Sequence, residues 1–541
     1  MIALVAAACS GRGPQSVGSQ PSWRGKTQVS GAPRPVTFAP SSAPAARYNE
    51  PAGAPPPSEL GTAIVAAVRD TAARARVPVP AADARLFRAC AELAEVVSED
   101  GIIAYSVVEF ALQRNGIIEP SPHLLIVWGD ADSPQLMVDQ LRPRIADILG
   151  DAAETRVGVG AAKRTPDGLS AVVLALQSSG VTTAPIPRAL PPGGSFSLDG
   201  TIDTRYRDPE VFVTHHDGAV ERIDIGLGKA GRFTAKVPCG ATIGKQQIEI
   251  AASDAQGSTV LANFPVWCGA EPPATLTIEP SIDDAPIADP REAERRVLAL
   301  VNRDRESAGL PPLLWDERVA EVARSHSREM RRRKVVAHVS PITGSAADRV
   351  RVAKIKTAVV LENVARAYGI GEAHQGLMNS PGHRANIMSG LATHIGVGIV
   401  FGDEVSGRLE IFITQVFTRV PPRVDAQVVA ELIRKRISAI RAVGSDPALT
   451  DIADDLAVRM ARGQSRDQAY PPLRPRVDAL ASRYARVASV ITTVADVEAL
   501  DAASILAGAT PDDIGVGVGQ GHHAEIGDGA IFIVVLLGTR R

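Results

Sequence analysis

Two periodicities of hydrophobic and polar residues trade places along this chain, and the exchanges divide it. Between about 186 and 278 the runs "GSFSLDGTI", "EVFVTHH", "RIDIGLG", "GRFTAKV", "QQIEIAAS" and "TVLANFPVW" alternate apolar and polar positions and are bounded by Gly, Asp or Pro. Strands of this length and spacing predict an all-β, immunoglobulin-like sandwich over 186–278. From 288 to 420 helical spacing takes over. Asp289-Pro290-Arg291-Glu292 reads as N-cap, first-turn proline and capping-box glutamate of a helix that stops near Gly309. Asp316 is placed to cap the next helix, where Val319, Val322, Ala323, His326 and Met330 share one face. The segment closes with "HIGVGIVFG" and "RLEIFITQVF", alternating runs that predict a β-hairpin.

The same ending occurs in two other segments. "RVGVGAAKRTPDGLSAVVLALQ" and "IGVGVGQGHHAEIGDGAIFIVVLLG" each give a Gly-Val-Gly strand, a polar turn and an apolar strand. The stretches "AADARLFRACAELAE", "LLWDERVAEVARSHS" and "SDPALTDIADDLAVR" match more loosely near the three openings. Three copies of one α/β fold are therefore expected, at 58–185, 288–420 and 424–541, with the sandwich inserted after the first. Residues 10–57 are rich in Ser, Pro, Gly and Ala and carry almost no aliphatic pattern, which predicts a disordered linker.

Composition narrows the function. With 541 residues the chain has room for about three or four domains. A formal charge of -2 supplies no basic footprint, so nucleic acid is not an expected partner. No apolar run reaches the roughly 20 residues of a membrane-spanning helix. Cys9, in "MIALVAAACSG", follows an apolar run and small residues in a way that resembles a bacterial lipobox. Residues 1–9 are then expected to be a truncated lipoprotein signal ending in a lipidated Cys9, and the protein to be extracytoplasmic. It would be held to a bacterial membrane by the lipid anchor only, or be secreted. Such a compartment permits a disulfide between Cys239 and Cys268. Cys90, on the apolar side of a helix, reads as a buried inert thiol.

In "NSPGHRANIMS" a Pro-Gly pair, read as a turn, aims His383 at the start of a helix. That stretch, with "LVNRDRESAGLPPLLWDERVAEVARSHSREM", "AHVSP", "LENVA", "IGVGIV" and "ITQVF", resembles in content and order the CAP superfamily. This is the SCP-like domain of cysteine-rich secretory and pathogenesis-related proteins, found in many bacterial exported proteins. The resemblance implies a three-layer α-β-α sandwich at 288–420 with degenerate relatives on either side. It also implies a central cleft with two histidines and two acidic residues. His338 in "AHVSP", Glu362 in "LENVA" and His383 in "SPGHR" match three of them. The second acid would fall near Ser380 and has no counterpart; Glu372 is close in sequence but is not assigned to it. Leu377 stands where many relatives carry Trp. Asn363 and Ser380 are expected to support the cleft.

Two neutral imidazoles and a carboxylate can hold zinc or another divalent cation and leave a fourth position for water. Bound zinc would lower the pKa of that water toward about 7. The bland alternative is a hydrogen-bonded polar cluster. The resemblance further implies a small-molecule or lipid-like ligand, or a cell-envelope partner, and a non-enzymatic role leads. A metal-assisted or serine hydrolase is the alternative, acting as a peptidase or on peptidoglycan. It would use Ser340, Ser345 or Ser380 as nucleophile and His338 or His383 as base, although no G-x-S-x-G elbow is present. A surface scaffold or adhesin-like protein is a further alternative. His326 reads as a core histidine, and His374 and His394 as surface or edge residues. The basic run Arg328, Arg331, Arg332, Arg333 and Lys334 reads as a solvated helix end that suits the dipole. Adjacent His215 and His216 face opposite sides of a strand. Aligned on the apolar pair after His383, the first copy has Arg144 and the third Asp501, so neither keeps the histidine.

Overall fold

The computed structural model describes residues 36–541 except 52, 56–57, 99–100, 102, 150–153, 164–168, 279–286, 288, 356, 358, 406–407, 420–422, 495–496, 498–499 and 524–526. Cys9, the expected signal 1–9 and the linker up to residue 35 lie outside the described residues.

Three four-stranded sheets share one strand order. The first runs Ala81–Ala82, Glu154–Lys163, Ser170–Ser178, His123–Gly129; the second Leu314–Trp315, His394–Val405, Arg408–Thr418, Val360–Ala367; the third Gly444–Ser445, Asp513–His523, Gly527–Arg540, Tyr484–Val494. In each, the two-residue strand is parallel to its neighbour and the other pairings are antiparallel.

The recurrent Gly-Val-Gly has a physical cause. A helix packs directly across that strand in all three units: Ala84–Val96, Glu317–Arg333 and Pro447–Ala461. A Cβ on Gly160 would lie 2.1 Å from the Ala91 backbone nitrogen, one on Gly398 2.1 Å from that of Arg324, and one on Gly517 2.1 Å from the Ala453 carbonyl carbon. No side chain fits there, so glycine sets the helix-to-sheet distance.

In the second unit the sheet lies between two helical layers. Helices Pro290–Ser307, Ile370–Asn379 and Pro381–Ile387 bury Val297, Val301, Leu377 and Ile387 against Leu361, Ile395, Ile413 and Phe417. On the opposite face Val319, Val322 and Ala323 of helix Glu317–Arg333 meet Val416. Each fully buried side chain of this size contributes roughly 1.5–3 kcal/mol. Asp289 caps its helix through the Arg291 N–H at 3.0 Å, and Asp316 caps the next through Arg318 at 2.9 Å and Val319 at 3.2 Å.

Between the first and second of these units stand two further sheets, of four and five strands, which share one core around Leu198, Val211, Phe233, Ile248, Ile250 and Phe264. Cys239 and Cys268 form a disulfide there, with Cα atoms 5.6 Å apart. The sandwich also recruits chain from the expected linker. Val36–Phe38 pairs with Leu276–Ile278, and Arg47–Tyr48 with Ile186–Pro187. Tyr48 is fully buried, its hydroxyl donating to the Pro265 carbonyl at 2.8 Å, and Phe38 packs edge-on against Phe110. The disordered-linker reading is therefore corrected for 36–38 and 47–48: two isolated aromatics anchor a segment whose composition otherwise predicts none.

Candidate functional site

Successive residues of the edge strand Val360–Ala367 project to opposite faces, and the candidate residues divide accordingly. Glu362 turns toward the loop that follows helix Glu317–Arg333. One of its carboxylate oxygens accepts from His338 Nδ1 at 2.9 Å, and the other is ion-paired with Arg349 of helix Ala346–Val352. Asn363 turns toward helix Pro381–Ile387, where its amide donates to the His383 carbonyl at 3.2 Å and to Gln415 at 3.0 Å. Asn386 ties the two faces together, donating to the Glu362 carbonyl at 3.1 Å and to Asn363 Oδ1 at 2.9 Å.

His383 sits in the first turn of its helix, with Ser380 as N-cap and Pro381 at the first helical position. The expected Pro-Gly turn before the helix is thus corrected: Pro381 and Gly382 belong to the helix, as proline's fixed φ and missing donor allow at that position. Ser380 Oγ lies 2.6 Å from His383 Nδ1 and also donates to a carboxylate oxygen of Glu249. Gly382 N–H donates to the other oxygen of Glu249 at 3.0 Å. Glu249 does not belong to this unit. It comes from strand Gly244–Asp254 of the sandwich, where Ile248 and Ile250 face the core and Glu249 faces away from it.

The sandwich covers the site. The turn between strands Gly244–Asp254 and Gly257–Cys268 lies on the His338 loop, so that the Gln256 carbonyl accepts from His338 N at 3.1 Å and Val339 N at 2.9 Å. Asn263 donates to the Asn379 carbonyl at 3.3 Å, and Arg384 reaches the Gly218 carbonyl at 2.9 Å. His338, Glu362 and His383 retain 3 %, 4 % and 0 % exposure. The central cleft implied by the resemblance is therefore a covered one. The reason is the strand Gly244–Asp254, which a polar alternation marks as one-sided and which is buried on both faces.

Electrostatics follow from this burial. Desolvation favours the neutral form of Glu362, but the Arg349 guanidinium, with His326 and His338, outweighs it and holds the carboxyl near about 2. His383 is pushed down to about 3 by burial and by nearby His338, so its ring is neutral. Burial pushes Glu249 up to about 7, against the bonds from Ser380 and Gly382. Since Glu362 is ionised and only accepts, the proton shared with His338 sits on Nδ1. Where Glu249 is ionised, above about pH 7, it also only accepts; Ser380 then donates to it and accepts from His383 Nδ1. The Nε2 atoms of His338 and His383 are both buried without a hydrogen-bond partner.

As a metal centre the set fits poorly. Among the described residues no three His, Cys, Asp or Glu are arranged to hold an ion. Glu362 is already neutralised by Arg349. The candidate nucleophiles are engaged too: Ser340 Oγ donates to Glu329 at 2.5 Å, Ser345 caps helix Ala346–Val352, and Ser380 is fully buried between Glu249 and His383. His326 is buried with Nε2 on the Ala337 carbonyl at 2.7 Å, and Cys90 is buried. His374, expected at the surface, is 5 % exposed and pairs with Asp304 at 2.8 Å, which corrects that reading. His394 is half-buried on a strand that pairs on both sides, and the basic run 328–334 is exposed apart from Glu329 and Met330. Arg349 and Glu249 were not anticipated. Each stands in a stretch that reads as a solvated helix or strand face, and no local signal separates them from surface charges.

Comparison with known proteins agrees with the geometry of the second unit. Residues 298–417 match the model of the cysteine-rich secretory protein family, CAP. The chain is 38 % identical over 108 residues to each of two Bacillus subtilis proteins, "Uncharacterized protein YkwD" and "Uncharacterized membrane protein YlbC". The match takes in 20 % of this chain, 42 % of YkwD and 31 % of YlbC, so less than half of each relative is spanned. A solved extracellular protein containing an SCP domain from Bacillus anthracis is 20 % identical, with 42 % of this chain and 82 % of that chain covered at a TM-score of 0.22.

Proposed function

We propose that this chain, whose residues 298–417 match the CAP family model, is an exported, non-enzymatic binding protein that takes a small or lipid-like ligand at His338 and His383. One observation carries the reading. Of the four CAP-unit ring nitrogens that are buried without a partner, on His326, His338, His374 and His383, those of His338 and His383 lie beneath the sandwich, where a ligand's hydroxyl or N–H would relieve their free-energy cost. Catalysis by serine is disfavoured because each candidate hydroxyl is already spent on a structural bond. A divalent cation on the two nitrogens is the second reading; Glu362 would then keep its bond from His338 Nδ1–H and orient that ring. The two outer units, with the same strand order, are read as copies that keep the frame without the histidine, Arg144 and Asp501 standing in its place. Anchoring through Cys9 belongs to the same proposal.

The test is extraction. Full-length protein purified from the envelope fraction, washed and extracted with organic solvent, is expected to release a small molecule at about one equivalent. The His338→Ala/His383→Ala double variant should release less than about a tenth of that. Equal release from both proteins, or none from the wild type, would contradict the reading. Zinc bound at one equivalent by the wild type and lost in the double variant would replace it with the cation reading.

A further inference from the structure

The contact between the sandwich and the CAP face joins a set of hydrogen bonds to a small apolar patch of Phe212, Ala251 and Val260 beside Glu249. The hydrogen bonds are Glu249 on Ser380 and Gly382, the Gln256 carbonyl on His338 and Val339, Asn263 on Asn379, and Arg384 on Gly218. Domains of one chain move relative to each other unless their contact is large and hydrophobic, and this apolar patch is small. The closed arrangement also keeps costly groups out of water: a carboxyl at Glu249 and two unpartnered imidazole nitrogens. Solvent admitted to the seam would satisfy all three. The closed state is therefore stable through its hydrogen bonds and burdened by what it buries, which suits a contact that opens.

We propose that the hairpin Gly244–Cys268 is a removable cover on the CAP domain, latched by Glu249 on Ser380 and Gly382 and by the Gln256 carbonyl on the His338 loop, so that ligand reaches His338 and His383 only when the sandwich lifts. This rests on the reading of that pair as the ligand site, but the cover itself is measured without any ligand. Gly257 offers a wedge. Its φ is +110°, and a Cβ there would lie 2.8 Å from His338 Cβ. Any side chain at 257 pushes the hairpin off the face.

Carbethoxylation of the full-length protein with diethyl pyrocarbonate, mapped by mass spectrometry, reads access to each imidazole. In the wild type His338 and His383 should react at least tenfold more slowly than exposed His216. Glu249→Ala and Gly257→Val should each raise both rates at least tenfold and leave His326 and His374, buried within the CAP domain, slow. Wild-type rates equal to that of His216, or rates unchanged in both variants, would overturn the proposal. Should His326 and His374 accelerate as well, the variants have unfolded, and amide exchange in the unaltered protein decides. His338, Val339 and Gly382, whose N–H groups donate to the sandwich, should exchange together and at least a hundredfold faster than Val364 and Val416 in the CAP sheet. Equal protection of both sets would overturn the cover, because the seam would then open only on global unfolding. Loss of the extracted ligand with slow, cover-dependent carbethoxylation intact would remove the binding reading and leave the cover standing.

Discussion

Glu362→Ala will destabilise the CAP domain by about 3–5 kcal/mol, the loss typical of removing one partner from a buried ion pair. The deletion strands the Arg349 guanidinium, 5 % exposed at its side chain, and leaves the His338 Nδ1 proton without an acceptor. Because Asn386 holds the Glu362 carbonyl and not its side chain, the strand itself stays in register. The same carboxyl sets an acid limit. Its folded pKa, about 2, lies below the ordinary 4.5, so its contribution is complete above 4.5 and is lost as pH falls from there toward 2. Urea unfolding followed by amide exchange in strand Val360–Ala367 measures both effects. A loss under about 1 kcal/mol, or a wild-type stability flat between pH 4.5 and 2, would mean that the pair is loosely held.

Gly398→Ala carries the second large effect, and its sign is diagnostic. By local preference alone, alanine in a strand interior should stabilise by roughly 0.5–1 kcal/mol. The new Cβ would instead meet the Arg324 backbone nitrogen at 2.1 Å, where only movement of the whole helix Glu317–Arg333 makes room. The expected outcome is a loss of more than about 3 kcal/mol, beyond ordinary overpacking of a flexible side chain, read as a fall in soluble yield and in the thermal midpoint of the CAP domain. A neutral or stabilising Gly398→Ala would show that the helix sits farther from the sheet than 2.1 Å implies.

What the chain shows before it is folded, and what it hides, separates along one physical line. Local geometry was legible. The helix starts at Asp289 and Asp316, the closing hairpin and the sandwich strands follow from caps and periodicity, because neighbours in sequence set them. The CAP resemblance at 288–420 was legible because its motifs stand in family order; that His338 Nδ1 lies 2.9 Å from Glu362 is seen in the structure. Contacts between units were not legible. Glu249 lies between Ile248 and Ile250 and has the alternation of a solvent-facing position; that a second domain lies over it is a tertiary fact. The same holds for Arg349, one of several arginines in a short helix, and for Tyr48, a lone aromatic in a Pro- and Ala-rich stretch. The missing second acid near Ser380 shows the limit most sharply. No residue of the local segment supplies it, and a carboxylate from the preceding domain occupies that neighbourhood, 131 residues away in sequence.

The proposed binding requires His383 to be a neutral imidazole, buried under the sandwich, with Nε2 free for a ligand. Nitrogen chemical shifts of the His383 ring in labelled full-length protein measure this directly. At pH 8 the ring should carry its proton on Nδ1, bonded to Ser380, with Nε2 unprotonated. Its folded pKa of about 3 lies below the ordinary 6.5, so the ring should stay neutral down to pH 5 while the folded state loses stability below 6.5. Protonation of the folded ring near pH 6.5, or a proton on Nε2 at pH 8, would contradict the proposal.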